Sequence, residues 1–123
     1  MLVVEDDADV RSALALLLQA SGYATETAED GHDAMNRLRA GLRPSVILLD
    51  LALPTKSGWH FRTEQRAFPE LAAIPVIGCS GDPYLTEKAF ALQLAGSVAK
   101  PIDEGQLLAA VAQVIGAKAG SAA

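Results

Sequence analysis

The chain has 123 residues, half of them hydrophobic, which fits one domain that can bury about two thirds of its unfolded surface. Its formal net charge is -5 and its sequence contains no run of lysine or arginine, so we expect no basic surface that would bind nucleic acid or anionic lipid. Acids near the N-terminus replace the basic start of a signal peptide and no apolar stretch could span a bilayer, so we expect a soluble, cytoplasmic protein without nucleic-acid or membrane partners.

Strand and helix patterns alternate through the first part of the chain. The apolar run at residues 2–4 predicts a short strand that runs directly into acids. Leucines at helical spacing then predict a first helix, with Asp6 or Asp7 as its N-cap. Residues 23–28 predict a second, more exposed strand, and Asp33 is the expected N-cap of a second helix.

An apolar run at residues 46–49 ends in a single carboxylate, Asp50. A continuous apolar run between Pro44 and Pro54 is typical of a central strand that is covered on both faces of a parallel sheet. Ligands of open α/β sheets bind outside the carboxyl ends of the strands, which is where Asp50 would lie. Taken alone, Asp50 is more typical of a cap at a strand end than of a reactive group, so the other strand ends decide its interpretation.

The next predicted elements again place polar residues after a strand. A third helix is expected to begin after Gly58, and residues 74–79 predict a fourth strand that finishes at Ser80. Asp82 followed by Pro83 is typical of an N-cap and a first helical residue, and predicts the start of a fourth helix.

The last part of the chain completes the alternation. Residues 97–99 predict a brief fifth strand that ends at Lys100, and Asp103 is the expected cap of a final helix. We therefore assign residues 1–116 to one domain and residues 117–123 to a C-terminal tail or linker.

This alternation predicts an α/β fold with a parallel sheet in a single domain. Five strands allow a doubly wound, flavodoxin-like sheet whose order reverses between the first and third strands, and we expect the order 2-1-3-4-5. Glu5 and Asp6 would then face Asp50 where the strand order reverses, with Ser80 and Lys100 at the flanking strand ends. Carboxylates about 4 Å apart repel by roughly 4 kcal/mol at an effective dielectric constant near 20, so a cation is required. A cluster of oxygen ligands with free coordination positions favours Mg²⁺.

A carboxylate beside Mg²⁺ can attack phosphorus to give an aspartyl phosphate. Lys100 would neutralise phosphoryl oxygens and the Ser80 hydroxyl would donate to another, because phosphoryl transfer needs mainly positioning and charge stabilisation. The structural alternative is an ion-pair network at the rim of the sheet.

These motifs together resemble the receiver domain of two-component response regulators, a CheY-like fold. The resemblance covers residues 2–115 and rests on several separated motifs: the acids Glu5, Asp6 and Asp7, the strand ending in Asp50 with Leu53, Pro54 and Gly58 after it, Ser80, and Lys100-Pro101.

The resemblance implies a role for each site residue. Asp50 would accept the phosphoryl group, Asp6 would bind Mg²⁺ directly, and Glu5 would help through water. Ala52 would contribute its backbone carbonyl to the metal. The peptide bond between Lys100 and Pro101 would be cis, which is costly except before proline.

The resemblance also implies the partners. The donor would be a sensor histidine kinase or a histidine phosphotransfer protein, and the chain would assist only its own phosphorylation and dephosphorylation, so it is not expected to be an enzyme. The face made by the fourth helix, the last strand and the final helix would switch and control a fused or separate output domain, with a phosphorylation-dependent dimer left open. Ser97 stands where many receivers carry an aromatic ring.

Two alternatives stay open from the residues. One is a docking module of the same fold that is never phosphorylated. The other is a phosphatase of the haloacid dehalogenase type, which also uses an aspartate nucleophile with Mg²⁺ but needs a second acid where this chain has Ala52.

Overall fold

The computed structural model describes residues 1–53 and 56–122, with side chains described as far as residue 116. Its strands form one parallel sheet in the order β2-β1-β3-β4-β5, with these bounds: β1 (Leu2–Val4), β2 (Glu26–Ala28), β3 (Ile47–Asp50), β4 (Val76–Ser80) and β5 (Gly96–Ala99). This confirms the predicted single-domain, doubly wound fold and its strand order.

The helices cover both faces of this sheet. Their bounds are α1 (Ala8–Ala20), α2 (Gly31–Arg39), α3 (Gly58–Ala67), α4 (Pro69–Ala72), α5 (Leu85–Ala91) and α6 (Glu104–Ala122). None of the helices in the described ranges has the length and apolarity needed to cross a bilayer. The side chains of residues 117–123 lie outside the described part of the chain, so the assignment of that segment as a tail or linker stays a prediction.

Successive residues of the central strands pack into two separate cores. Leu49 belongs to a cluster that includes Met35 of α2 and Phe61 of α3. Leu48 belongs to a second cluster that includes Leu18 of α1 and residues of α6. Because side chains alternate across a strand, both faces of β3 are buried, which explains its unbroken apolar sequence.

Asp7 caps α1, because its carboxylate accepts hydrogen bonds from the backbone N–H groups of Asp9 and Val10. The predicted cap of the second helix was wrong. Asp30, not Asp33, accepts the capping bond of α2, at 2.8 Å from the Asp33 nitrogen. The helix begins three residues earlier than expected, so Asp33 lies in its first turn.

The predicted start of the fourth helix was also wrong. Asp82 accepts a hydrogen bond from the Tyr84 N–H at 2.7 Å and pairs with Lys88 at 2.6 Å, whereas α5 begins only at Leu85. The Asp82-Pro83 pair therefore forms a turn before the helix. In the final helix the prediction was right, since the Asp103 carboxylate accepts from the Gln106 N–H at 2.9 Å.

Strands β2 and β4 begin two or more residues later than predicted. Strand β2 is limited to three residues because β1 offers only three partners for it. Strand β4 starts at Val76 instead of Ile74, since the Ile74 carbonyl accepts a hydrogen bond from the Gln65 side chain and Pro75 has no N–H to donate.

Candidate functional site

The carboxyl ends of four strands meet at one edge of the sheet. Val4 pairs with Leu49, so the next residues, Glu5 and Asp50, follow side by side. Further along the sheet Ser80 pairs with Ala99, which is followed by Lys100. The parallel register therefore brings together residues that lie up to 95 positions apart in the chain.

Three carboxylates form the centre of this edge. Glu5, Asp6 and Asp50 each offer one carboxylate oxygen, and these oxygens lie within 4.8 Å of one another. Glu5 and Asp50 are each only 4% exposed, whereas Asp6 is exposed. At an effective dielectric constant near 20, two unit charges at 4.8 Å repel by about 3.5 kcal/mol. The cluster is therefore unfavourable without compensating positive charge.

Lys100 supplies part of this compensation. Its Nζ lies 3.2 Å from Oδ2 of Asp50 and 3.3 Å from Oε2 of Glu5. Burial by itself lowers the pKa of Lys100, but its interactions with Asp50 and then Glu5 outweigh that effect, so the pKa is raised. Lys100 therefore stays an ammonium, and one positive charge faces three negative ones.

The pKa of Glu5 is raised above its ordinary value. Burial is the main cause, and the negative charge of Asp50 adds to it, while Lys100 acts in the opposite direction. The ionised form of Glu5 therefore lowers the stability of the metal-free fold.

The donor set fits a hard divalent cation. Its ligands are carboxylate oxygens, and the excess of two negative charges equals the charge of one Mg²⁺ ion. The structure therefore brings Glu5, Asp6 and Asp50 together, as the sequence predicted. Ala52 follows in the next loop, where its N–H donates to Oδ1 of Asp50 at 2.9 Å. The metal contact of the Ala52 carbonyl stays a prediction.

Ser80 lies on the strand next to β3 and is 6% exposed. Its Oγ accepts a hydrogen bond from the Asp82 N–H at 3.0 Å, which leaves the hydroxyl hydrogen for another acceptor. On the same strand Cys79 pairs in register with Asp50, and burial raises the pKa of its thiol to about 12. A thiol with this pKa is not a nucleophile, as expected for a buried cysteine.

The loop after Asp50 is positioned by close packing. The Gly58 N–H donates to the Leu51 carbonyl at 3.3 Å, and a Cβ atom at Gly58 would lie 2.6 Å from the Leu51 side chain. Glycine therefore lets α3 begin directly against the end of β3. Pro54, part of the motif in this loop, lies outside the described residues. The Lys100-Pro101 bond is cis, as the resemblance implied.

Arg11 supports the site, although no sequence pattern indicated it. Its guanidinium donates to the backbone carbonyl of Glu5 at 2.9 Å and thereby holds the turn between β1 and α1. An arginine one turn into a helix has no special sequence signal, because only the reversal of the chain after Val4 brings it back to Glu5.

Glu5→Gln is expected to stabilise the metal-free protein at pH 7 by about 1–2 kcal/mol, because two repulsive pairs outweigh the one attraction to Lys100. A carboxyl whose folded pKa is raised destabilises the fold above that pKa, and the penalty disappears as the pH falls below it. The difference in the free energy of unfolding between the variant and the wild type should therefore be largest near neutral pH and should vanish at acidic pH. Urea unfolding in EDTA at several pH values measures it; a less stable variant at pH 7 would contradict the expectation.

Comparisons with known proteins agree with this geometry. The sequence model of a family described as response regulator receiver domain matches residues 1–112. The chain is 34% identical over 111 residues to protein Rrf1 of Nitratidesulfovibrio vulgaris, which covers 90% of this chain and 78% of that protein. It spans less than half of the transcriptional regulatory proteins that it also matches.

Two solved structures have the same fold. A response regulator receiver protein from Pseudomonas putida is 32% identical with a TM-score of 0.82, covering 91% of this chain and 93% of that one. The receiver domain of the sensor histidine kinase PA1611 from Pseudomonas aeruginosa, with magnesium coordinated in its active site cleft, is 25% identical with a TM-score of 0.83 and covers 94% and 95%. The chain therefore belongs to the receiver domain family of two-component response regulators.

Proposed function

We propose that this chain accepts a phosphoryl group on Asp50 from the phosphohistidine of a partner protein. The observation that carries the proposal is the contact of Lys100 with Asp50 at 3.2 Å inside a cluster of three convergent carboxylates. A structural ion-pair network alone would not need an excess of two negative charges at a strand end.

In the proposed reaction an oxygen of Asp50 forms a bond to phosphorus while the bond from phosphorus to the histidine nitrogen breaks. The electron pair of the broken bond stays on the imidazole, which takes up a proton from solvent when it leaves. Lys100 neutralises charge on the phosphoryl oxygens, and the free hydroxyl hydrogen of Ser80 is the donor for another oxygen.

The metal ligands would be Asp6 and Asp50 directly, Glu5 through water, and the Ala52 carbonyl. Magnesium in the cleft of the PA1611 receiver domain supports this assignment. When bound, Mg²⁺ supplies the positive charge that Lys100 does not, and stabilises the developing charge on the phosphoryl group.

We propose a signalling domain instead of a phosphatase. Ala52 is two residues after Asp50, where a phosphatase of this chemistry needs a general acid, and it carries no titratable group. The aspartyl phosphate should therefore persist long enough to be read by a partner.

The proposed partners are a sensor histidine kinase or a histidine phosphotransfer protein, and a fused or separate output domain. The proposed location of this chain is the cytoplasm. The output face would consist of α5, β5 and α6. A cleft of about 670 Å³ leads from Ser80 to this face and is lined by Ser97 and Gln113. Ser97 is exposed and small, so it offers no ring that could follow a movement of Ser80 toward a phosphoryl group. We infer that such a movement would change the shape of this cleft, and that a partner bound to the output face would respond to that change.

Incubation with acetyl phosphate and Mg²⁺ is expected to add one phosphoryl group to the chain, as measured by intact mass. The same incubation in EDTA should add none, because the carboxylate cluster would then lack its cation. Absence of the adduct in Mg²⁺ would favour the alternative of a docking module that is never phosphorylated. Light scattering with and without a phosphoryl mimic would show whether a dimer forms.

A further inference from the structure

A second polar cleft lies between α3 and α5 and shares no residue with the carboxylate cluster. It has a volume of about 410 Å³ and is lined by Trp59, Arg62, Thr63, Arg66 and Leu92, among others. Its lining combines two arginines with an aromatic ring, so the groups that neutralise the two positive charges decide what the cleft can bind.

Arg62 is only 8% exposed, and its hydrogen bonds go to neutral groups. Its guanidinium donates to the carbonyl of Leu92 at 3.0 Å, to the carbonyl of Gln93 at 2.9 Å and to Oε1 of Gln65 at 2.8 Å. The Gln65 amide in turn donates to the Leu71 and Ile74 carbonyls at 2.9 Å. Arg62 is therefore held rigidly, while its positive charge is buried.

Arg66 follows one helical turn later and lines the same cleft. In residues 1–53 and 56–116 neither guanidinium forms an ion pair. The pKa of Arg62 is lowered, first by burial and then by the positive charge of Arg66. A buried charge without a counterion is costly, and here a second like charge adds to the cost.

Trp59 gives the cleft an apolar side. Trp59 is 47% exposed and lies at the start of α3, and Leu92, the residue after α5, closes the cleft on the other side. Tryptophan and arginine are among the residue types most enriched in strong contributors to protein–protein binding. The lining therefore matches a ligand that carries both a carboxylate and an apolar side chain.

We propose that this cleft docks an acidic segment of a partner protein, with a carboxylate between Arg62 and Arg66 and an apolar side chain against Trp59. Charge complementarity selects this occupant, since the chain has a net charge of -5 and yet none of its described acidic side chains pairs with either of these guanidinium groups. A symmetric contact with a second copy would place the same positive charges opposite each other. This inference is independent of phosphorylation at Asp50.

Titration of the full chain with a blocked peptide of alternating glutamate and leucine tests the proposal. Trp59 is the single tryptophan, so its fluorescence reports on the cleft directly. We expect a saturable change in emission that weakens as salt is added. Arg66→Gln should reduce the affinity about tenfold, the loss of one charge-assisted hydrogen bond, while Arg66→Lys should retain part of it.

Arg37→Gln is the matched control, because it removes the same charge on α2, where Arg37 pairs with Glu26 and Asp33. It should bind the peptide as the wild type does, and circular dichroism should show all variants folded. The proposal is overturned by unchanged Trp59 emission at millimolar peptide or by equal affinity of Arg66→Gln. The proposal is also overturned if a glutamine–leucine peptide binds as tightly as the glutamate–leucine peptide, or if free glutarate binds the cleft as tightly as that peptide does. It is likewise overturned if the chain forms a dimer that Arg66→Gln abolishes.

Discussion

Asp50→Asn is expected to abolish phosphoryl acceptance completely. Asparagine has nearly the same size and can still accept the Ala52 hydrogen bond, but its amide is not a nucleophile and carries no charge for the metal. No phosphoryl adduct should therefore appear after incubation with acetyl phosphate and Mg²⁺. Intact mass, followed by peptide mapping of the wild type, measures both the amount and the position of the adduct.

Asp33→Asn is a matched control for this substitution. It removes one carboxylate from the first turn of α2, where Asp33 pairs with Arg37 instead of facing the cluster. Its adduct should equal that of the wild type. An unchanged adduct in Asp50→Asn would show that the phosphoryl group resides elsewhere and would end the proposal for Asp50.

Lys100→Met is expected to destabilise the metal-free protein by about 2–3 kcal/mol at pH 7. It leaves the buried carboxylates of Asp50 and Glu5 without their cation, and breaking a buried pair in this way costs more than losing a surface pair. We expect a smaller loss of stability than for a fully buried ion pair, because the Lys100 side chain is 30% exposed. Urea unfolding followed by circular dichroism measures it.

The loss of stability caused by Lys100→Met should depend on pH and on Mg²⁺. Without Lys100 the pKa of Glu5 rises further, because the one interaction that lowers it is gone. A raised carboxyl pKa destabilises the fold above that pKa, so the loss should shrink as the pH falls from 7 toward about 4, the ordinary range for glutamate. Added Mg²⁺ should also shrink it by supplying positive charge.

Lys88→Met provides the comparison for Lys100→Met. Lys88 pairs with Asp82 on a more exposed part of the surface, so its removal should cost clearly less stability than removal of Lys100 and should not respond to Mg²⁺. Equal losses in the two variants would mean that the acids around Lys100 do not depend on it for compensation.

The cluster of reactive residues at the carboxyl edge of the sheet could be anticipated because it consists of strand ends. Asp50 and Ser80 each follow a run of apolar residues that has one structural interpretation, a buried strand. Their parallel alignment then places Glu5 and Lys100 beside them without any knowledge of side-chain contacts. Arg11 could not be anticipated, because its contact with the Glu5 carbonyl depends on how tightly the chain turns after β1.

The sequence by itself determined the alternation of strands and helices and the reactive residues at the strand ends, because these follow from local apolar patterns. That alternation allows the strand order that the sheet has, but it does not select this order from the other doubly wound orders. Only the tertiary structure decided which of two nearby aspartates caps α2 and where α5 begins. It also decided that Arg62, a residue type that is rarely buried, packs under α5. Such choices depend on the carbonyl groups and charges that distant segments bring within a few ångströms, and no local pattern in the sequence records them.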